Sequence, residues 1–287
     1  MEMQAVGTFD DGGREPYPEG LYDTIGLAEY VPTMADIGPD EVAFFSENGY
    51  LAVEKWLSLS RLDTALDALM SLLDGANPDF KGVVYEKIAR DHDLAGMAAT
   101  RKQDFVRKFW RFVEFHPSLM ELALDPELLG VVNSLIGETP LLFQDMALLK
   151  PPRIGREKPW HQDHAYFNYD LDTRVAGVWI ALDEATEDNG CMVIVPGSHR
   201  KGPVIHFKRR DWQICDTDAR QDPPVAVPLP PGGVLFFASL LHHGTPTNRS
   251  DSRRRAVQFH YCPESARKQA HEKRLQVFGA EGKDVTC

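Results

Sequence analysis

After Thr139-Pro140 the chain changes vocabulary, and that change limits the folds open to it. The runs LLFQDMALLK (141–150), VAGVWIALDE (175–184), CMVIVPG (191–197), VAVPL (225–229), GVLFFAS (233–239) and RAVQFHYC (255–262) are short and apolar. They are rich in β-branched and aromatic residues, and clusters of Gly, Pro, Asn and Asp divide them. No helical pattern of useful length lies between most of them, which disfavours a parallel sheet built from βαβ crossovers. The pattern predicts an antiparallel sandwich or barrel instead.

The residues ahead of that point read differently. Residues 1–38 carry Gly, Pro and acid without a sustained period, and they are expected to form an arm. DEVAFFSEN is helical in pattern, stops at Asn48-Gly49, and is followed by the apolar run Tyr50–Val53. LDTALDALMSLLDG reads as an amphipathic helix ended by Gly75, and KQDFVRKFWRFVEFHPS as another that stops before Pro117. DPELLGVVNSLIGE opens on an acidic cap and closes at Gly137. Taken together, the expected fold is α+β. A single domain over 39–287 would hold a helical part (about 39–138), a β core (about 139–264) and a charged C-terminal surface segment (265–287). The polar stretch HFKRRDWQICDTDARQDPP (206–224) is long for a connection between strands and is expected to act as a lid.

Composition narrows the partners. The 287 residues carry a formal net charge of −12, which argues against nucleic acid or an anionic membrane as the main partner, although solubility alone also explains acidity. No apolar run approaches the roughly 18 residues of a membrane span. The first residues lack the basic and apolar regions of a secretory signal. Cys191, Cys215, Cys262 and Cys287 show no CxxC spacing, as expected of reduced thiols. The chain is expected to be cytoplasmic, a monomer or a homodimer, and to act on a small molecule.

The chemistry begins at PWHQDHAYFNYD (159–170). His161 and Asp163 are two apart, so on an extended strand both side chains leave one face. His164 would point the other way. An HxD pair arises often by chance, and a surface His beside an Asp explains many of them. A third ligand is available in LLHHGTPTN, where strand parity alone does not separate His242 from His243. Two imidazoles and one carboxylate on one face of an octahedron leave three positions open, the arrangement of non-haem Fe(II) oxygenases. In RRAVQFHY, Val257, Phe259 and Tyr261 share one face; Arg254, Gln258 and His260 share the other, toward the space that a barrel encloses. A guanidinium there can grip a carboxylate through paired hydrogen bonds, whereas Arg253 and Arg255 fit a solvated charge run.

With PWHQD (159–163), VWIALDEATEDNGCMVIVPGSH (178–199) and HHGTPTNRSDSRRRAVQFHY (242–261), the chain resembles the phytanoyl-CoA dioxygenase family of Fe(II)/2-oxoglutarate-dependent oxygenases, over roughly residues 38–265. The resemblance implies a double-stranded β-helix (a jelly-roll or cupin-like barrel) with N-terminal helices packed on one face. It implies His161, Asp163 and His243 as iron ligands. Arg254, eleven positions after His243, would bind the distal carboxylate of 2-oxoglutarate with Thr245. Trp179 matches a residue lining the co-substrate pocket, and Gln144 one near the metal. A Trp in an apolar strand is also a common core residue. Gln144 shares parity with Met146 and Lys150, an edge that is either inward or a solvated strand end. Asn189-Gly190 and Pro196–His199 match family positions that read as turns.

The implied reaction consumes 2-oxoglutarate and O2, releases succinate and CO2, and hydroxylates an unactivated C–H bond. Related halogenases replace the carboxylate ligand with a small residue, so Asp163 favours hydroxylation. Desaturation, epimerisation or cyclisation at the same iron remain alternatives, as do a non-catalytic sensor and a cupin enzyme without 2-oxoglutarate. Substrate is expected among Tyr166, Phe167, the 206–224 segment and the N-terminal helices. Lys208-Arg209-Arg210 is either a solvated charge run or an attractor for an anionic substrate.

Overall fold

The computed structural model describes residues 8–284 apart from 11, 13, 14 and 220. Residues 1–7 of the expected arm and Cys287 lie outside the described residues. In chain order the strands are β1 (Thr8–Phe9), β2 (Tyr30–Thr33), β3 (Tyr50–Lys55), β4 (Val83–Tyr85), β5 (Val106–Trp110), β6 (Pro140–Lys150), β7 (Lys158–His161) and β8 (Ala176–Ala181). They continue with β9 (Met192–Ile194), β10 (His206–Lys208), β11 (Trp212–Ile214), β12 (Val225–Val227), β13 (Val234–Ala238), β14 (His243–Thr245) and β15 (Arg254–Pro263). The main helices are α1 (Pro39–Asn48), α2 (Leu59–Leu73), α3 (Pro117–Ala123), α4 (Pro126–Ile136) and α5 (His271–Phe278).

Nine strands form one sheet in the order β1-β4-β5-β6-β15-β8-β13-β3-β2, and four form a second, β12-β9-β14-β7. Every pairing in these two sheets is antiparallel except β1 with β4 and β2 with β3 at the edges of the large sheet. Period-two alternation divides the large sheet cleanly. Val178, Ile180, Val257, Phe259 and Tyr261 pack with Leu69, Leu72, Leu128 and Val132 of the helices. Trp179, Leu235, Phe237 and Ala256 turn the other way, onto Met192, Ile194 and Ala226 of the small sheet. This is the expected double-stranded β-helix, with helices on one face and a barrel interior on the other. No helix among the described residues is long and apolar enough to cross a membrane.

Local signals account for most helix ends. In α2 the buried residues Leu62, Ala65, Leu69 and Leu72 recur at helical spacing, and Gly75 follows at φ 85°. In α4 the Asp125 carboxylate accepts from the Glu127 and Leu128 amides, Pro126 stands at the first turn, and Gly137 closes the helix at φ 82°.

One expected helix is not there. Residues 102–118 form a 3-10 turn, then β5, then a second 3-10 turn, and Pro117 begins α3 rather than ending a helix. Phe105, Val106, Phe109 and Trp110 carry a helical stripe on paper. Both flanks of β5, however, are taken by β4 and β6. The turn at Arg111 (φ 52°) then brings the Phe112 and Val113 amides to the Asp145 carboxylate. Tertiary pairing overrides the local pattern. The C-terminal segment also differs from a surface helix, because Arg274 and Phe278 of α5 are buried and Arg274 donates to the Ala165 carbonyl at 2.6 Å.

Gly177 couples the sheet to the interior. A Cβ at this position would lie 2.3 Å from the Phe237 ring, and that ring is 4.9 Å from the His243 imidazole. Gly177→Ala is expected to cost about 1–3 kcal/mol through overpacking, read as a lower Tm. It is also expected to weaken divalent-metal binding, because the displaced Phe237 ring packs against His243. A Tm and metal affinity equal to those of the parent would contradict this account.

Candidate metal centre

His161 ends β7, Gln162 continues extended (φ −114°, ψ 128°), and Asp163 opens a 3-10 turn. The extended Gln162 keeps the parity that the HxD spacing requires. His243 does not end the apolar strand β13, which stops at Ala238; it begins β14 and pairs in register with His161. His161 Nε2 lies 3.1 Å and His243 Nε2 3.6 Å from Asp163 Oδ1. All three residues are buried, and their ligand atoms converge within 4.8 Å of one another.

Both imidazoles are oriented by the backbone. His161 Nδ1 donates to the Pro159 carbonyl at 2.7 Å and His243 Nδ1 to the Leu241 carbonyl at 3.0 Å. A carbonyl only accepts, so each Nδ1 carries the proton and each Nε2 turns a lone pair inward. Two nitrogen lone pairs and a carboxylate oxygen suit a divalent cation of intermediate softness. His242 stands apart, its amide bound to Ser198 Oγ. His164 points to the opposite side and meets Ser239 Oγ and the Tyr169 carbonyl. Gly244 is closely packed, because a Cβ there would meet Lys158, Trp160 and Tyr22 at 3.1–3.2 Å.

A cavity of about 130 Å³ opens from these residues along the barrel, and Arg254, Thr245, Gln144, Gln258 and Lys150 line it. The three consecutive arginines separate by parity. Arg253 pairs with Asp104 and Arg255 with Asp183, each through two hydrogen bonds. Arg254 is buried and donates once to the Leu148 carbonyl, and its Nε has no hydrogen-bond partner among the described residues. Its guanidinium lies 5.3 Å over the Trp179 ring, so Trp179 supports the arginine from the barrel core. The Gln144 Oε1 is likewise buried and unpartnered. A buried guanidinium with an unused N–H suits a carboxylate ligand.

Lys150 was ambiguous in the sequence and is inward. It is the cross-strand neighbour of Arg254, and its Nζ donates to the carbonyls of Arg156 (2.8 Å), Thr245 (3.2 Å) and Pro246. Asn189 and Gly190 form a turn as expected, with Gly190 at φ 88°, where a Cβ would lie 2.6 Å from the Pro246 carbonyl oxygen and 3.0 Å from Lys150 Cδ. Sequence reasoning placed Gln258 and His260 in the interior without a role; both reach Asp163 Oδ2, at 3.3 Å and 2.7 Å.

The outer wall differs from expectation. Tyr166 lines the cavity, with Asp10, Arg107, Lys108, Lys158 and Asp211. Phe167 instead packs on His260, and Arg107 and Lys108 of β5 with Asp10 take the place of the helices. Segment 206–224, expected as a lid, buries Trp212 and Ile214 and sets Asp211 on the cavity wall, where Lys158 meets it at 2.7 Å. Arg210 is buried against Glu157 and Asp216, so it is committed internally, whereas Lys208 and Arg209 are exposed.

Electrostatics favour a metal-ready state. Burial alone would raise the Asp163 pKa, but His243, His260 and His161 outweigh it and hold the carboxyl well below its ordinary range. Burial, with His161 beside it, pushes His243 down to about 3, and burial lowers His206 to about 3 and His242 to about 4. Burial also lowers Arg254 to about 10, and burial followed by the Arg254 charge drives Lys150 well down. Unfolded imidazoles titrate near about 6.5. Below that value the unfolded chain binds more protons than the folded one, so stability falls as pH falls, by about 1.4 kcal/mol per such imidazole per unit. Metal-free protein is expected to show a marked drop in Tm from about pH 7 to about pH 5, measured by calorimetry in chelator. A flat profile would contradict it.

The phytanoyl-CoA dioxygenase family model matches residues 45–256, about three quarters of the chain. A probable phytanoyl-CoA dioxygenase of Caenorhabditis elegans is 26% identical over 252 residues, covering 83% of this chain and 79% of that one. The peroxisomal phytanoyl-CoA dioxygenase of Mus musculus is 28% identical over 233 residues, covering 76% of this chain and 66% of its own length. Among solved structures, the non-heme alpha ketoglutarate dependent carbocyclase SnoK superposes with a TM-score of 0.64 at 24% identity, covering 88% of this chain and 96% of that one. EctD from S. alaskensis, solved with 2-oxoglutarate and 5-hydroxyectoine, gives 0.63 at 23% identity, covering 86% and 83%. The chain belongs to the phytanoyl-CoA dioxygenase family of Fe(II)/2-oxoglutarate-dependent oxygenases.

Proposed function

We propose that the chain hydroxylates an unactivated C–H bond of a small molecule. In this reading Fe(II) is held by His161 Nε2, Asp163 Oδ1 and His243 Nε2, and 2-oxoglutarate by Arg254 and Thr245. The observation that carries it is the buried Arg254, which keeps an unused N–H in the same cavity as the two imidazoles and the carboxylate. A metal enzyme with no dicarboxylate co-substrate has no use for that guanidinium.

When bound, Fe(II) with 2-oxoglutarate and O2 supplies the oxidising power, with succinate and CO2 as by-products. The protein's own work is positional. Carbonyl-bound Nδ1 atoms hold both imidazoles with Nε2 inward, the orientation that a metal requires. Arg254, lying on Trp179, offers donors to the far carboxylate of the co-substrate, and Thr245 adds a hydroxyl at the same end. Gln144 turns an unpaired carbonyl oxygen into the cavity, ready to accept from substrate or from an ordered water. Aliphatic and thioether groups at Met146, Leu148 and Met192 line the space between and exclude bulk water.

The outer wall of Asp10, Arg107, Lys108, Lys158 and Asp211 is charged, which supports a small polar substrate over an all-hydrocarbon one. Retention of Asp163 supports hydroxylation over halogenation. Cyclisation and epimerisation remain the second reading, since SnoK is a carbocyclase and SnoN an epimerase. The free thiols of Cys191, Cys215 and Cys262 support a reducing, cytoplasmic setting.

Conversion of 2-oxoglutarate to succinate without added substrate tests the enzyme reading. It is expected to require Fe(II) and to vanish in Asp163→Ala; Fe(II)-independent or undiminished turnover would sink it. In Arg254→Ala the KM for 2-oxoglutarate is expected to rise at least about tenfold, from loss of charged hydrogen bonds worth about 1.5–3 kcal/mol each. An unchanged KM would favour a cupin enzyme that needs no 2-oxoglutarate, and metal binding without any turnover would favour a sensor.

A further inference from the structure

Asp163 presents two oxygens to two different environments. Oδ1 faces the Nε2 atoms of His161 and His243. Oδ2 faces away from them and is met by His260 Nε2 at 2.7 Å and Gln258 Nε2 at 3.3 Å. His260 is fully buried, and its ring is boxed by Phe167, Phe143 and Phe237, with centroids 5.0, 6.1 and 6.1 Å away. Its Nδ1 is buried and has no partner among the described residues.

We propose that His260 is a positioning residue whose Nε2–H holds Asp163 Oδ2, so that the carboxylate offers only Oδ1 to the metal. The tautomer follows from the surroundings. A carboxylate oxygen accepts, so the proton belongs on Nε2; a proton on Nδ1 would be a buried donor facing only aromatic rings. The strand geometry is arranged for this contact. Opposite Gln144 and Leu142 the β15 register shifts between His260 and Tyr261, leaving Phe143 as an extra residue on β6. That bulge places the Phe143 ring beside His260. On the other flank, Gly177 is the cross-strand partner of His260 and leaves room for Phe237.

The consequence is for coordination. A carboxylate free to rock can take two positions on a metal; one with Oδ2 tied takes one, and the remaining positions stay open for a bidentate dicarboxylate and a gas. Gln258 has only a weaker, shared contact, 3.3 Å from both Asp163 Oδ2 and His260 Nε2, so His260 is the principal restraint.

This inference rests on the proposed metal ligands, and the test separates the two. Mn(II) binding is measured anaerobically by EPR, with and without 2-oxoglutarate, in the parent, Asp163→Ala, His260→Phe and His260→Gln. His260→Phe keeps the ring and removes the donor, whereas Gln restores an N–H near the Nε2 position. His260→Phe is expected to weaken Mn(II) binding about 10–100-fold and to alter the Mn(II) spectrum, with Gln recovering most of both. Parent-like affinity and spectrum in His260→Phe, with loss in Asp163→Ala, would overturn the role of His260 alone. Undiminished binding in Asp163→Ala would overturn the ligand assignment itself. A readout that needs no substitution is the imidazole nitrogen NMR spectrum of the parent loaded with diamagnetic Zn(II). There His260 is expected as the Nε2–H tautomer, and an Nδ1–H tautomer would overturn the proposal even if His260→Phe fails to fold.

Discussion

The structure is organised around a buried negative charge. Asp163 is 5% exposed, and a carboxylate withdrawn from water in this way is tolerated only where each oxygen is matched. Oδ1 is shared by two imidazoles on the paired strands β7 and β14, and Oδ2 by His260 and Gln258 on β15. These strands belong to different sheets, so the carboxylate joins the two halves of the barrel at one point. A cation at Oδ1 completes what the imidazole lone pairs leave open. Until it arrives, burial holds the His243 imidazole neutral, which is the protonation state in which a metal can use it.

Strict alternation along β15 does the rest. One strand sends Val257, Phe259 and Tyr261 to the helices and Arg254, Gln258 and His260 inward. Three functional groups thus stand on one face at spacings fixed by the pleat. Arg254 lines the cavity, and His260 stands beside Asp163 with its Nε2 2.7 Å from Oδ2. Trp179 backs the arginine, and Lys150 on the neighbouring strand donates to the carbonyls of Arg156, Thr245 and Pro246. Lys150 and Arg254 are cross-strand neighbours, and burial followed by the Arg254 charge drives the Lys150 pKa well down, a repulsion that an incoming dianion would relieve.

Much of this was legible in the sequence, for a definable reason. Alternation, turn residues and the HxD spacing are local, so the β-rich second half, the inward Arg254 and the His161–Asp163 pair could be read directly. Features that depend on partners far along the chain could not. The stripe at Phe105–Trp110 looked helical until β4 and β6 claimed its edges. His242 and His243 were inseparable by parity because β13 ends at Ala238 and β14 starts a new register. Family resemblance, not pattern, favoured the second. Arg210 read as a free charge until Glu157 and Asp216 enclosed it. The contacts of His260 and Gln258 to Asp163 span 97 and 95 residues, beyond any local signal.

The account depends most on the convergence of one metal and one dicarboxylate in a single cavity. An anaerobic crystal structure of the chain with Fe(II) and 2-oxoglutarate tests that directly. The account predicts iron about 2 Å from His161 Nε2, Asp163 Oδ1 and His243 Nε2, with the far carboxylate of 2-oxoglutarate against Arg254 and Thr245. Iron held by other residues, or a dicarboxylate whose far end lies away from Arg254, would contradict it.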